Sequence, residues 1–315
     1  MVGDGAGQNG SYVMARGGEG PYICHGRNRR NRSLMAQTPN LSHCAGLVRD
    51  FDRDRFMTAL FAPPDRREAL MALYAFNVEI ARIRESVREP MAGLIRLQWW
   101  RDTFTAAEQG RKIDRHPVAL PLVETIRERG LSFDALETIL TAREVDLESF
   151  GPGDLAAVES YAENTSGILS RLALGILGSE DDGALRAAHL VGTAWALIGQ
   201  ARAVPFHLSM GRLTLPEDVL VGAKSSGAEM LAGQAPPSAI AAGVKALGER
   251  AAELLGAARR LPVAREALPG LLLGILADCH LAVLRRCGWN PFDPRVSLPR
   301  HRPLRLAWAR WRGRF

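Results

Sequence analysis

REALMALYAFNVEIARIRESV, residues 67–87, decides the fold. Its apolar residues recur at three- and four-residue spacing, which places them along a helix rather than on alternate faces of a strand. The segment MAGLIRLQWWRDTFTAAEQG (91–110) repeats the pattern. Pro90 stands between the two, where a fixed φ suits the first turn of a helix. Further helical runs follow at about 117–129, 132–149, 154–178, 183–208, 237–260 and 266–287, with breaks at Gly130, Gly151-Pro152-Gly153, Gly178 and Gly211. No window sustains strand alternation, and GRLTLPEDVL (211–220) reads as a loop leading into a short helix. Eight or more helices predict one all-α domain over roughly 45–290.

Composition excludes several classes. A chain of 315 residues with 47% hydrophobic and 23% charged residues is not disordered throughout. Four cysteines, at 24, 44, 279 and 287, contain no CxxC pair, which excludes a disulfide scaffold and a zinc ribbon and suits a reducing compartment. The net charge of +6 divides unevenly: residues 1–34 carry +3, residues 295–315 carry +7 from seven arginines and no acid, and 35–294 carry −4. No stretch of eighteen uninterrupted apolar residues occurs. LPGLLLGILADCHLAVL (268–284) is interrupted by Asp278 and His280 and reads as a buried helix rather than a membrane span.

The two ends differ from the body. Residues 1–44 read as a disordered extension, rich in Gly, Asn and Arg and without the apolar core of a secretory signal; Met35 as a later start and an Arg-rich transit peptide are the alternatives. The tail PFDPRVSLPRHRPLRLAWARWRGRF (291–315) can form a short helix with Leu306, Trp308 and Trp311 beside Arg305, Arg310, Arg312 and Arg314. Trp with Arg suits a membrane surface or an anionic partner. The alternative is a solvated basic tail that packs its tryptophans on the body. No nucleic-acid motif occurs and the body is acidic, so nucleic acid is not an expected partner.

Three segments together resemble the squalene/phytoene synthase family: RREALMALYAFN (66–77); REVDL (143–147) with SYAENTSGIL (160–169); and AWALIGQARAVPFHLSMGRLTLPEDVL (194–220). GRLTLP at 211–216, with Arg202 upstream, is the most specific part. The resemblance implies an isoprenoid-synthase fold, an all-α bundle around a central apolar cavity. Family enzymes join two prenyl diphosphates head to head. For that they use two Asp-rich clusters on facing helices, which hold the Mg²⁺ that neutralises the departing diphosphate.

This chain departs at those positions. Where the family has its first cluster stand Ala81, Arg82 and Glu85; where it has its second stand Gly199, Arg202, Ala203 and His207. Only Glu85 keeps a carboxylate. A guanidinium about 4 Å from a cation costs roughly 4 kcal/mol per unit charge at an effective dielectric of about 20, so Arg82 disfavours a metal. Arg82, Arg84 and Arg202 suit direct contact with a diphosphate instead, and Tyr74 and Arg212 are further candidates for cavity or diphosphate contact. Glu79, Glu144, Asp146 and Glu163 are other acids near the motifs. Glu144 and Asp146 are two positions apart and diverge around a helix, so both cannot chelate one ion, and pairing with nearby arginines is their expected role. The adjacent Trp99 and Trp100 read as core packing, with ligand stacking the alternative. His116 reads as a helix start, Cys279 and Cys287 as structural thiols, and His189, His280 and His301 as isolated.

A kept framework, lost Asp clusters and a basic tail resemble the non-catalytic branch of this family, which includes the mitochondrial respiratory complex I assembly factor. The resemblance implies a non-enzymatic helper in building NADH dehydrogenase, needing no cofactor. Its partners would be a complex I subunit or assembly intermediate and, through residues 295–315, the membrane surface. It would lie peripherally at the cytoplasmic side of an inner membrane, or in the mitochondrial matrix. The alternatives are an active head-to-head prenyltransferase that uses Mg²⁺, and an isoprenoid-lipid binder that keeps the cavity without the chemistry.

Overall fold

A computed structural model describes residues 41–148, 151–298 and 302–315. Residues 1–40 of the extension lie outside them, while His43 and Cys44, expected in the extension, begin the first helix, where Cys44 is buried. Every regular element among the described residues is helical. The amino-terminal half holds α1 (His43–Phe51), α2 (Arg53–Ala59), α3 (Pro64–Ala81), α4 (Ile83–Ser86), α5 (Pro90–Glu108), α6 (Ala119–Arg129) and α7 (Phe133–Glu144). The carboxyl-terminal half holds α8 (Leu155–Ala162), α9 (Ile168–Ile176), α10 (Asp182–Ser209), α11 (Glu217–Gly222), α12 (Gly227–Leu231), α13 (Pro237–Arg259), α14 (Leu268–Leu271), α15 (Leu273–Arg286), α16 (Pro294–Ser297) and α17 (Pro303–Arg312).

The helix starts follow local chemistry. Pro64, Pro90, Pro237 and Pro303 stand in first turns, where a missing N–H costs nothing. Asp52, Ser132, Asp154 and Asp181 each accept a hydrogen bond from a first-turn N–H. His116 caps α6 through Nδ1, which accepts from Val118 N (3.3 Å) and Ala119 N (3.2 Å). The run 67–87 is not one helix. It breaks at Arg82, whose φ of −96° and ψ of 2° separate α3 from α4. Periodicity carries across such a break because the apolar spacing resumes after one residue.

Two packed clusters make the core. One is aromatic and built on α3, α5, α6 and α7: Phe76 meets Trp100 edge-on at 4.8 Å and Phe104 at 5.6 Å. Trp100 is buried and Trp99 is half-buried against His116, so both pack as core. The other is alanine- and leucine-rich and built on α10, α13 and α15. Small side chains let α10 run close to its neighbours. A Cβ at Gly192 would meet Ser166 O and Ser170 Oγ, so that helix approaches the turn 163–167 to backbone contact. Residues 268–284 are α14 and most of α15, largely buried in this second cluster. No single helix among the described residues is long and apolar enough to cross a membrane.

Candidate functional site: an arginine-lined cavity

A cavity of about 290 Å³ lies where the α1–α2 turn, the break between α3 and α4, the turn after α7, α10, α15 and α16 converge. Apolar atoms make most of its wall, from Phe51, Val78, Trp195, Phe206 and Met210 among others. Charge crowds the rest: Arg53, Arg55, Arg82, Arg84, Arg143, Arg202 and Arg212 face Asp50, Asp52, Asp54, Glu85 and Asp146.

The residues at both cluster positions reach this cavity. Ala81, Arg82 and Glu85 line it from the end of α3 and α4; Gly199, Arg202, Ala203 and His207 line it from α10. Arg82 lies over the Phe51 ring at 3.7 Å and donates to Glu85 Oε2 at 3.4 Å. The one carboxylate retained at the first cluster is therefore tied to a guanidinium. Arg202 donates from Nε to Val296 O at 3.3 Å, which joins α10 to α16. His207 is held neutral: burial and the nearby Arg212 lower its pKa to about 4.

Asp146 organises the deeper wall. Arg212 Nη2 donates to its Oδ1 at 2.8 Å, and Arg143 Nη1 donates to its Oδ2 at 3.2 Å. Tyr161 OH accepts from Arg143 at 2.6 Å and donates to Asp146 at 3.0 Å, while Arg143 Nη2 reaches Asn77 Oδ1 at 3.3 Å. Burial by itself would raise the Asp146 pKa; the two guanidinium groups outweigh it and hold the carboxyl below its ordinary range. Glu144 turns away and pairs with Arg101 at 2.7 Å. The two acids therefore diverge as their spacing predicts.

The family resemblance makes Tyr74 a candidate for the cavity, with a buried core tyrosine the alternative. Tyr74 is buried in the aromatic cluster with the Arg55 guanidinium 5.8 Å from its ring, and it does not line the cavity. A helix buried on every side sends each residue to a different neighbour, and position 74 faces the core. Asp50, Asp52 and Asp54, in RDFDRDRF (49–56), line the cavity but lie outside the motif segments, and the acid pattern of that stretch is the signal that marks them. His280, isolated in sequence, also lines it, with Nε2 3.7 Å from Asp54 Oδ2.

A five-residue π-turn, Glu163–Gly167, widens the helix between α8 and α9 and brings Thr165 and Ser166 to the wall. Ser166 Oγ accepts from Arg55 Nη2 at 2.7 Å. Arg55 also donates to Asp52 Oδ2 at 2.7 Å.

The donor set does not fit Mg²⁺, which asks for several converging oxygen ligands. Asp52, Glu85 and Asp146 are each bonded to an arginine. Among the described residues no three His, Cys, Asp or Glu side chains gather closely enough to hold a metal ion. The cavity does keep polar atoms without protein partners: Nε of Arg55, Arg84 and Arg143, Oε1 of Gln200 and Nδ1 of His207. Such a wall can receive an anion, or a polar head with an apolar body, through nitrogen donors.

Known proteins share this architecture. The structure superposes on squalene synthase HpnC from Alicyclobacillus acidocaldarius with a TM-score of 0.68 at 23% identity, covering 79% of this chain and 94% of that one. It matches a dehydrosqualene synthase with a TM-score of 0.72 at 17% identity, covering 85% and 94%. In sequence, the chain is 30% identical over 279 residues to the NADH dehydrogenase (ubiquinone) complex I assembly factor 6 of Mus musculus, spanning 87% of this chain and 82% of that protein. The Bos taurus protein of that name is 34% identical over 197 residues, and the match spans 59% of its length. A presqualene diphosphate synthase of Rhodopseudomonas palustris is 27% identical over 159 residues, half of this chain. The family model for squalene/phytoene synthase matches residues 48–311, and the chain belongs to that family.

Proposed function

We propose that this protein is a non-catalytic member of the squalene/phytoene synthase family that assists the assembly of respiratory complex I. The observation that carries this reading is the state of the two cluster positions: Arg82 stands beside Glu85, Arg202 and His207 line the same cavity, and the carboxylates of Asp52, Glu85 and Asp146 are bound to arginines. Departure of diphosphate requires positive charge free to stabilise the leaving group as it develops. Here carboxylates already pair with part of that charge, and among the described residues no three His, Cys, Asp or Glu side chains gather to recruit metal. The named relatives supply the direction of the function: the mouse and cattle proteins are complex I assembly factors. The partner on this reading is a complex I subunit or assembly intermediate at a membrane, with the 295–315 segment as the attachment.

Two measurements test it. Purified protein incubated with Mg²⁺ and farnesyl or geranylgeranyl diphosphate releases no pyrophosphate, whereas steady release refutes the non-catalytic reading. Deleting the gene lowers the level and activity of NADH dehydrogenase, and unchanged levels refute the assembly role. The persisting cavity supports a compatible second reading, an isoprenoid lipid held without turnover. Native mass spectrometry of protein from its own cells tests it, since an empty protein removes it.

A further inference from the structure

The carboxyl-terminal helix α17 shows two unlike faces. Leu306 and Ala309 are buried against the body. Leu304, Trp308 and Trp311 point the other way and are 85%, 55% and 72% exposed. Their spacing of four and then three residues sets them in one row on the helix surface, about 10 Å long. Arg305 and Arg312 flank this row on one side, and the Arg312 guanidinium lies over the Trp308 ring at 4.6 Å. Trp311 thus stands clear of the body, and Trp308, which also lines the shallow groove against α15, keeps more than half of its surface exposed.

The helix is also clamped in place. Arg265 Nη2 donates to Trp311 O at 2.6 Å, Arg310 Nη1 to Arg265 O at 3.2 Å, and Arg259 Nε to Phe315 O at 2.9 Å. These bonds join the end of the chain to α13 and to the segment before α14. The first two satisfy guanidinium donors with neutral peptide carbonyls, so the positive charge of Arg265 and Arg310 is not cancelled by them. No acid occurs between residues 294 and 315. The one acid lining the shallow groove between α15 and α17, Asp278, is paired with Arg259 at 2.6 Å.

We propose that α17 is a preformed wedge that seats the protein on an anionic lipid bilayer, with Leu304, Trp308 and Trp311 inserted at the headgroup level. This deepens the reading of a membrane-attached protein and does not depend on the assembly role. An apolar row flanked by guanidinium groups suits a helix lying in the plane of the interface, where indole rings rest between acyl chains and headgroups. Excess arginine on the same short helix complements phospholipid phosphates. Because the helix is already folded and bonded to the body, docking fixes the orientation of the whole domain, which a disordered basic tail would not do.

The test uses the full chain with vesicles of phosphatidylcholine alone and of phosphatidylcholine doped with phosphatidylglycerol. The wild type cosediments with the doped vesicles, shows a blue shift of tryptophan emission, and is quenched by brominated acyl chains. W308Q/W311Q weakens binding by about tenfold or more and loses the blue shift. Its circular dichroism and melting temperature stay those of the wild type, because both rings are exposed. R312Q weakens binding to doped vesicles and makes its salt dependence shallower, since it removes one cationic headgroup contact. The proposal is overturned if the wild type ignores doped vesicles, if it binds both kinds equally, or if W308Q/W311Q binds as the wild type does. Recovery of the wild type only with a membrane protein complex, and never with lipid, overturns it in favour of a protein-docking face. None of these outcomes touches the gene-deletion result, so failure here and failure of the assembly role stay distinguishable.

Discussion

The cavity and the carboxyl-terminal helix are both rich in arginine, and they use it in opposite ways. In the cavity Arg143 and Arg212 share Asp146, Arg55 holds Asp52, and Arg82 holds Glu85. At α17 the arginines meet neutral groups: Arg305 donates to Cys279 Sγ, Arg310 to a main-chain carbonyl, and Arg312 lies over the Trp308 ring. A carboxylate partner cancels charge, whereas a carbonyl partner satisfies the donor and leaves the charge in place. Four of the seven cavity arginines thus meet a carboxylate, whereas the arginines of α17 meet neutral groups and keep their charge toward the outside.

The comparison breaks most readily at Asp146. Asp146→Ala leaves two mostly buried guanidinium groups without their anion and is expected to cost about 3 kcal/mol of folding stability, measured by urea denaturation. Truncation in the aromatic cluster is of similar size: Trp100→Ala is expected to cost about 3–5 kcal/mol, while Trp308→Gln on α17 changes stability by less than about 0.5 kcal/mol. Equal effects at the two tryptophans would remove the distinction between packed and presented rings. A smaller loss, about 1–3 kcal/mol, is expected for Gly192→Ala, because the new Cβ meets the backbone of the π-turn at Ser166.

Two titrations sharpen the comparison further. The Asp146 pKa is lowered in the folded state, so its contribution to stability is present above the unfolded carboxylate pKa and is lost as pH falls through the folded value. Asp146→Asn removes that part of the acid sensitivity. His207 moves with the same sign for a different reason. Its folded pKa is depressed from 6.5 to about 4, so the unfolded chain takes up the proton first and stability declines as pH drops through that window. A His207 imidazole that titrates near 6.5 by NMR would show that the cavity is wetter than its walls imply.

The sequence by itself determined the helical class, most helix positions and the residues at the two cluster sites. Those follow from spacing and residue type: the run 91–110 is helical because its apolar residues repeat every three or four, and the residue at each position is visible as a letter. Even the divergence of Glu144 and Asp146 follows from helical geometry. Only the tertiary structure decided which charges meet. Arg212 lies 66 positions from Asp146 and Arg55 lies 111 from Ser166. No local pattern encodes pairings that arise when α2, α7 and α10 converge. The same holds for Tyr74, drawn into the core, for His280, brought to the cavity, and for Trp308 and Trp311, left outside. In α3, where consecutive residues 70–78 are all buried, no single face marks the core, so the direction of each side chain is set by its neighbours in space; at α17 the choice between a ring packed on the body and a ring left outside rests on where the helix docks.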